Sequence, residues 1–222
     1  MILLNNSRLI SACNDKWLFY VELEKFNSPY RIETTLNADF DFLRNKFGLP
    51  FLLKPKRGHG SKGIVKVDSK EIFIKHQADV GAILMAQPII GNDNEEFTTS
   101  AFCDGHGNYY ASMTLRRKLA RDGYTEKAEV VTVEGMEDAL KSLCELFEPM
   151  GPTNFQFRQT ETGLKLLEIN PRISSSTSLR TAFGYNESLM AVDFFLENRI
   201  PQQPIIRKGK AIRYTEDLIF YA

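Results

Sequence analysis

The sequence predicts an α+β fold, and three observations carry that expectation. Helical periodicity marks residues 16–26, 38–47, 136–147 and 187–199. Residues 51–115 instead break into short, tightly punctuated strands, and two more strands follow at 153–159 and 164–170. Helices and strands are mixed without strict alternation, which speaks against a doubly wound parallel sheet. With 222 residues and 43% hydrophobic content, the chain can build one sizeable core, or two small ones sharing an interface.

Taken in order, KWLFYVELEKF (16–26) and ADFDFLRNKF (38–47) place apolar residues at helical intervals around an extended YRIETT. Asn37 is read as the N-cap of the second helix and Gly48 as its C-terminal stop. FLLK, GIVKV, EIFIK, AILMAQ, EFTTSAFC and NYYASMTL read as strands of antiparallel sheet, the last two joined by DGHG. MEDALKSLCELF gathers Ala139, Leu140, Leu143, Cys144 and Phe147 on one stripe, and ESLMAVDFFLENR is a second amphipathic helix capped by Asn186. TNFQFRQ and LKLLEIN lie between them as strands.

Composition narrows the function classes. The 28 basic residues cancel 28 acidic ones, so no global field recruits nucleic acid or a membrane surface, and an anion site must be built locally. Cys13, Cys103 and Cys144 are odd in number, widely spaced and without a ligand-like histidine pattern, which points to reduced, buried thiols in a cytoplasmic protein. MILLNNSRLI has too short an apolar run for a signal peptide, and no segment approaches a membrane span. His59, His76 and His106 lie in polar, turn-like contexts, and no nucleophile and base array accompanies them.

FLLKPKRGHGSKGIVKV (51–67) sets three glycines among five lysine or arginine side chains directly after a hydrophobic strand. Gly58, Gly60 and Gly63 match G-x-G-x-x-G, a weak signal by itself. A dinucleotide fingerprint needs a helix next, yet the following residues alternate at strand period. Ile64 stands where a Walker loop needs lysine, and no kinase catalytic motifs follow. A hairpin flap over phosphates remains: glycines let successive N–H groups face an anion, Ser61 adds a hydroxyl, and Lys54 at the strand end supplies a point charge. The alternative is an ordinary exposed turn rimmed by solvated lysines.

In NFQFRQTETGLKLLEIN, a three-residue turn Glu161–Gly163 pairs Arg158 with Leu166, Gln156 with Glu168 and Asn154 with Asn170. Alternation sends Phe155, Phe157, Leu167 and Ile169 to an apolar face, and Asn154, Gln156, Arg158, Glu168 and Asn170 to a polar one. Directly opposed side chains lie close enough for Gln156, Glu168 and Asn170 to converge on a hard cation such as Mg²⁺. The competing reading is a salt bridge from Glu168 to Arg158 or Arg172 on a solvated face.

Three ordered stretches, DKW (15–17), LLKPKRGHGSKGIV and NFQFRQTETGLKLLEINPRISSSTSLRTAFGYNESLMA, resemble the ATP-grasp superfamily, especially domains similar to the carbamoyl phosphate synthetase large subunit. The resemblance covers about residues 14–200. It implies two α+β lobes with mainly antiparallel sheets clasping a nucleotide, with ATP and Mg²⁺ as cofactors. Lys16 and Lys54 look like phosphate-binding lysines and Gly58, Gly60, Ser61 and Gly63 like the closing loop. Glu168 and Asn170 look like metal ligands with Gln156 beside them, and Arg172 like the residue that steadies the transferring phosphoryl group. Ala86, Gln87, Pro88 and Ile89 look like the adenine hinge, Glu96 like the ribose acid, and Lys127 is a weaker match to a third phosphate-side lysine. The implied reaction is ATP-dependent ligation of a small-molecule carboxylate to an amine or ammonia, with Arg172 and Lys54 in catalytic roles. SSSTS (174–178) is either part of the acyl phosphate pocket or a plain hydroxyl-rich loop.

The implied organisation is an N-terminal extension over 1–14 and a small lobe over 15–85 whose first helices pack on the large lobe. The large lobe covers 86–205 and a tail 206–222. Two departures qualify it. Ala86 replaces a polar or acidic hinge residue, so adenine recognition falls to backbone groups, and only fourteen residues precede DKW where the family carries a further α/β domain. The alternatives are an enzyme needing a partner chain, one half of a split enzyme, or a noncatalytic nucleotide-binding subunit. The apolar residues of FLENRIPQQPII either pack internally or cover a neighbour in a homo-oligomer.

Overall fold

The computed structural model of the chain describes residues 5–58, 60, 62–120 and 123–214. Two antiparallel sheets organise it. The small sheet joins β1 (Phe51–Pro55), β2 (Val65–Val67) and β3 (Leu84–Pro88) in the order β2-β1-β3. The large sheet joins β4 (Glu96–Asp104), β5 (Tyr109–Leu119), β6 (Thr125–Val130), β7 (Met150–Thr160), β8 (Gly163–Asn170) and β9 (Lys210–Ile212) in the order β8-β7-β4-β5-β6-β9. The expected α+β class is the observed one.

The small sheet packs on α3 (Phe40–Phe47) and α4 (Lys70–His76), and Phe40, Phe51 and Phe73 meet with ring centroids 5.6–6.4 Å apart. The segment EIFIK, expected as a strand, is thus a helix. Strand alternation pairs Ile72 with Ile74 inside, whereas the structure buries Phe73 at 1% exposure and leaves Ile74 at 59%. A five-residue apolar run cannot signal which period governs it. The N-cap of α3 is Asp39, which accepts from the Phe42 N–H at 2.6 Å, and not Asn37, whose Oδ1 accepts from the Asp39 N–H one turn earlier. Gly48 ends α3 at φ 76°, as its sequence position suggests.

One face of the large sheet carries α5 (Met136–Phe147), α1 (Ser7–Asn14) and α2 (Lys16–Lys25), which bury Leu143, Leu9 and Phe19 against Phe155 and Phe157. Each such side chain contributes about 1.5–3 kcal/mol by leaving water. Among the described residues the other face is covered at one end, where Phe102, Met113 and Leu115 meet Tyr185 and Met190 of the α6 (Thr177–Ala182) and α7 (Glu187–Glu197) segment. The rest of that face stays open toward the small sheet.

These packings redraw the expected divisions. Residues 7–14 form α1 inside the large core, β3 crosses the line drawn after residue 85 and ends at Pro88, and residues 210–212 add the edge strand β9. Six-residue α6 and three-residue β9 are too short to show a period by themselves. In FLENRIPQQPII, Leu196, Ile200 and Ile205 stand exposed while Ile206 packs on the core. Among the described residues no helix is long and apolar enough to cross a membrane.

Candidate functional site

Between the two sheets lies a cleft of about 670 Å³. Lys54 from β1, Gln87 from β3, Glu96 from β4, Gln156 from β7 and Glu168 and Asn170 from β8 all line it, together with Lys16 at the start of α2 and Arg172 just beyond β8. Residues more than a hundred apart in sequence therefore face one space. On the sheet floor, antiparallel pairing sets Asn154 opposite Asn170 and Gln156 opposite Glu168, as counted from the sequence.

The hairpin that achieves this differs from the expected one. Its turn holds two residues, Glu161 and Thr162, with Thr160 opposite Gly163, so the register near the turn is one residue off. An irregularity between Gln156 and Phe157, where Leu167 is the unpaired residue, restores it. That extra residue turns Leu167 into the cleft, whereas alternation from the turn sends it to the core; Leu164 and Leu166 take core positions instead.

A polar chain crosses the floor. Arg158 and Arg117 hold the two oxygens of Glu96, at 2.6 and 2.8 Å. Arg117 also donates to the Gln156 carbonyl, and Gln156 Nε2 donates to Glu168 Oε1 at 2.5 Å. Asn170 Nδ2 reaches the same Oε1 at 2.8 Å. Glu168 forms no salt bridge to Arg158 or Arg172; Arg158 belongs to Glu96, and Arg172 donates to Ile173 O and Asn170 Oδ1. Arg117 has no sequence signal, because a strand arginine in LRRKL reads as exposed until its register is known. Lys62 and Cys13 also line the cleft unannounced.

The donor set suits a hard cation. One carboxylate flanked by two amides offers only oxygen ligands once the amides rotate, and Mg²⁺ takes few protein ligands when phosphates and water supply the rest. Glu168 meets that requirement directly; Asn170, whose Nδ2 donates to Glu168 and whose Oδ1 accepts from Arg172, meets it once its amide rotates. The Gln156 oxygen is held by Arg117 and must leave it to ligate.

The roof is basic. Burial, and then the neighbouring Lys16, push the Lys54 ammonium down to about 8. Burial also lowers Lys16, while Glu168 and Asp15 oppose that shift. Lys16 Nζ donates to Gly58 O at 2.6 Å, and Asp15, the N-cap of α2, pairs with Arg57, so the base of the glycine loop is tied to α2. Gly58, Gly60 and Gly63 have φ of 126°, 64° and 75°, the region that favours glycine. Among the described residues nothing lies within 4 Å of a Cβ built at Gly58 or Gly60, so there the backbone conformation, more than packing, calls for glycine. Ser61 lies outside the described residues.

Two expected contacts are absent from the cleft. Lys127 is exposed: it pairs with Lys118, while Arg117, which faces the cleft, pairs with Ala128, so strand alternation turns Lys127 to the opposite face. Ala86 cannot offer its backbone to a base, because its N–H and C=O both bond Thr35, at 2.9 and 3.0 Å. Its side chain points into the small core. Gln87, Pro88 and Ile89 do line the cleft, beside Ile32, Leu52 and Leu167. Glu96 is there too, with both oxygens already held by arginines.

Residues 84–218 match the family model described as ATP-grasp in the biosynthetic pathway with Ter operon. A curated relative, uncharacterized protein y4rH of Sinorhizobium fredii (strain NBRC 101917 / NGR234), is 28% identical over 165 residues, 66% of this chain and 33% of its own. Among solved structures, N5-carboxyaminoimidazole synthetase from Staphylococcus aureus complexed with ADP superposes at TM-score 0.71 and 14% identity, over 91% of this chain and 56% of that one. Carboxyaminoimidazole ribonucleotide synthase from Aspergillus clavatus complexed with ATP gives 0.70 at 18%, over 90% and 56%. The biotin carboxylase domain dimer of Hydrogenobacter thermophilus 2-oxoglutarate carboxylase, with MgADP and bicarbonate, gives 0.69 at 17%, over 91% and 50%. At such identities the likeness is one of fold. The chain spans about half the length of these structures and a third of the curated relative.

Proposed function

The chain belongs to the ATP-grasp family of the biosynthetic pathway with Ter operon, and from that premise we propose that it uses Mg-ATP to activate a carboxylate as an acyl phosphate, which an amine or ammonia then captures. The observation that carries this reading is the convergence of Lys54 from the small sheet and Glu168 from the large one on a single cleft. A basic roof over a floor where Glu168 has no cationic partner among the described residues is a complementary surface for a metal triphosphate.

In this reading Lys54, Lys16 and the N–H groups of the glycine loop neutralise the phosphates, and Lys16 exchanges Gly58 O for a phosphate oxygen. Glu168 and Asn170 would hold Mg²⁺, which when bound offsets phosphate charge. Arg172, at the exposed end of the floor, balances charge on the γ-phosphoryl group as it moves. The substrate carboxylate oxygen bonds to the γ-phosphorus while the bridging oxygen leaves with ADP. The amine nitrogen then bonds to the acyl carbon, inorganic phosphate departs, and the nitrogen loses a proton. No protein nucleophile is needed, and positioning and charge supply the rate. In this reading the base lies beside Leu52, Gln87, Ile89 and Leu167, which line the cleft.

The test is thermal and chemical. Mg-ATP at about a hundred times its Kd adds about 2.7 kcal/mol, a rise of roughly 5–10 °C in Tm for a chain of this size. Glu168→Gln keeps the response to metal-free nucleotide and loses the Mg²⁺-dependent part. A variant responding like the parent refutes the metal assignment. ADP release stimulated by an acid and amine pair supports the ligase; binding without turnover across a broad panel favours the noncatalytic subunit.

A further inference from the structure

Beneath the floor of the cleft sits a guanidinium that the reaction scheme above does not use. Arg180 in α6 is fully buried at 0% exposure, as is Glu187, whose Oε1 lies 3.5 Å from Arg180 NH1. Placing a cation there costs several kcal/mol of hydration unless its hydrogens are matched. The match is incomplete, since Arg180 Nε has no partner. The remaining nitrogens reach toward the cleft: NH1 donates to Ser174 Oγ at 2.5 Å, and NH2 donates to Asn154 Oδ1 at 2.8 Å and Thr98 Oγ1 at 3.0 Å. Ser174, Asn154 and Thr98 all line the cleft.

These contacts fix hydrogen directions. A serine hydroxyl has two acceptor sites and one proton. Ser174 Oγ accepts from Arg180 NH1 and from the Ser176 N–H at 3.2 Å, which fills its acceptor capacity. Among the described residues its proton has no acceptor, so it is free to point into the cleft. Asn154 Oδ1 accepts both Arg180 NH2 and the Thr98 hydroxyl, the latter at 2.6 Å, which turns the amide Nδ2 away from them. Ser174 lies two residues beyond Arg172 and four beyond Asn170, at the end of the floor where the proposed function puts the reacting group.

We propose that Ser174 donates its hydroxyl proton to an oxyanion of the reacting group, a phosphoryl or carboxylate oxygen, and that buried Arg180 is the positioning residue that aims and polarises it. The assignment rests on the cleft being the Mg-nucleotide site. A donor fixed before the substrate arrives needs no reorganisation as charge builds on the oxygen.

The experiment measures Mg-ADP affinity by calorimetry, then the affinity of the Mg-ADP complex for inorganic phosphate and, in a second arm, for acetate. Ser174→Ala is expected to leave Mg-ADP binding within about twofold and to weaken at least one anion roughly 10-fold to 100-fold, the range for a hydrogen bond to a charged group. Ser174→Thr restores it. Arg180→Lys, which keeps the charge but not the fork, shows the same anion loss, and the double variant is no worse than either single one. Phosphate sensitivity alone assigns the contact to a phosphoryl oxygen, and acetate sensitivity to the substrate carboxylate. Unchanged affinity for both anions in Ser174→Ala overturns the proposal, as does a parent protein that binds Mg-ADP but takes up neither anion. Failure of the parent to bind Mg-ADP instead refutes the nucleotide reading. Melting curves confirm that Ser174→Ala folds, so the serine arm stands even if the arginine variant does not.

Discussion

Lys54→Met is expected to make the protein more stable while weakening nucleotide binding. Lys54 faces Met85 across the small sheet, so methionine is a close match in volume for its aliphatic stem. In the folded chain the ammonium is disfavoured by burial and then by Lys16, which lowers it from 10.5 to about 8. That drop corresponds to about 3 kcal/mol. Water at the open side of the cleft screens part of it, leaving about 1–2 kcal/mol. The sign follows from proton counts. Below pH 8 both folded and unfolded chains hold the proton and the penalty is whole. Between about 8 and 10.5 the unfolded chain holds more protons, so parental stability rises with pH and the penalty fades. Denaturant melts of parent and variant should therefore differ by about 1–2 kcal/mol at pH 7, or roughly 2–8 °C in Tm, and converge by pH 10.5. The Mg-ATP shift should shrink in the variant. A variant less stable than the parent at pH 7, or a gap that does not narrow with pH, would refute the reasoning.

Three further outcomes are expected. Gly91→Ala should destabilise the chain by about 2–4 kcal/mol in denaturant melts, because the residue has φ 53° and an added Cβ lands 2.3 Å from Gln159 O. Burial, with a smaller contribution from Glu168, pushes the Cys13 thiol up to about 12; with Cys103 and Cys144 buried, a disulfide reagent at pH 8 should titrate no thiol quickly in the native protein and three in denaturant. Arg117→Met should cost about 1–3 kcal/mol, since Glu96 keeps only Arg158, and adding Glu96→Gln should recover part of that loss, which a double-mutant cycle on melting data reads directly.

What the sequence determined by itself is local. Glycines at 58, 60 and 63 needed positive φ, LKLLEIN needed a partner strand ending Asn154–Asn170, and the stripe Ala139, Leu140, Leu143 could only be a helix face. These features depend on neighbours within a few residues, where backbone sterics and side-chain period operate. Tertiary structure alone decided the rest. Arg117 became a site residue because β5 pairs with β4 in a register that turns it inward, and the separate register of β5 with β6 turned Lys127 outward. Ala86 lost its backbone groups to Thr35, a contact across fifty residues. Leu167 entered the cleft because one unpaired residue shifted a pleat. Each depends on which distant strand completes a ladder, and a single residue of register reverses a side chain; that choice is made by the packing of the whole chain, not by any window of it.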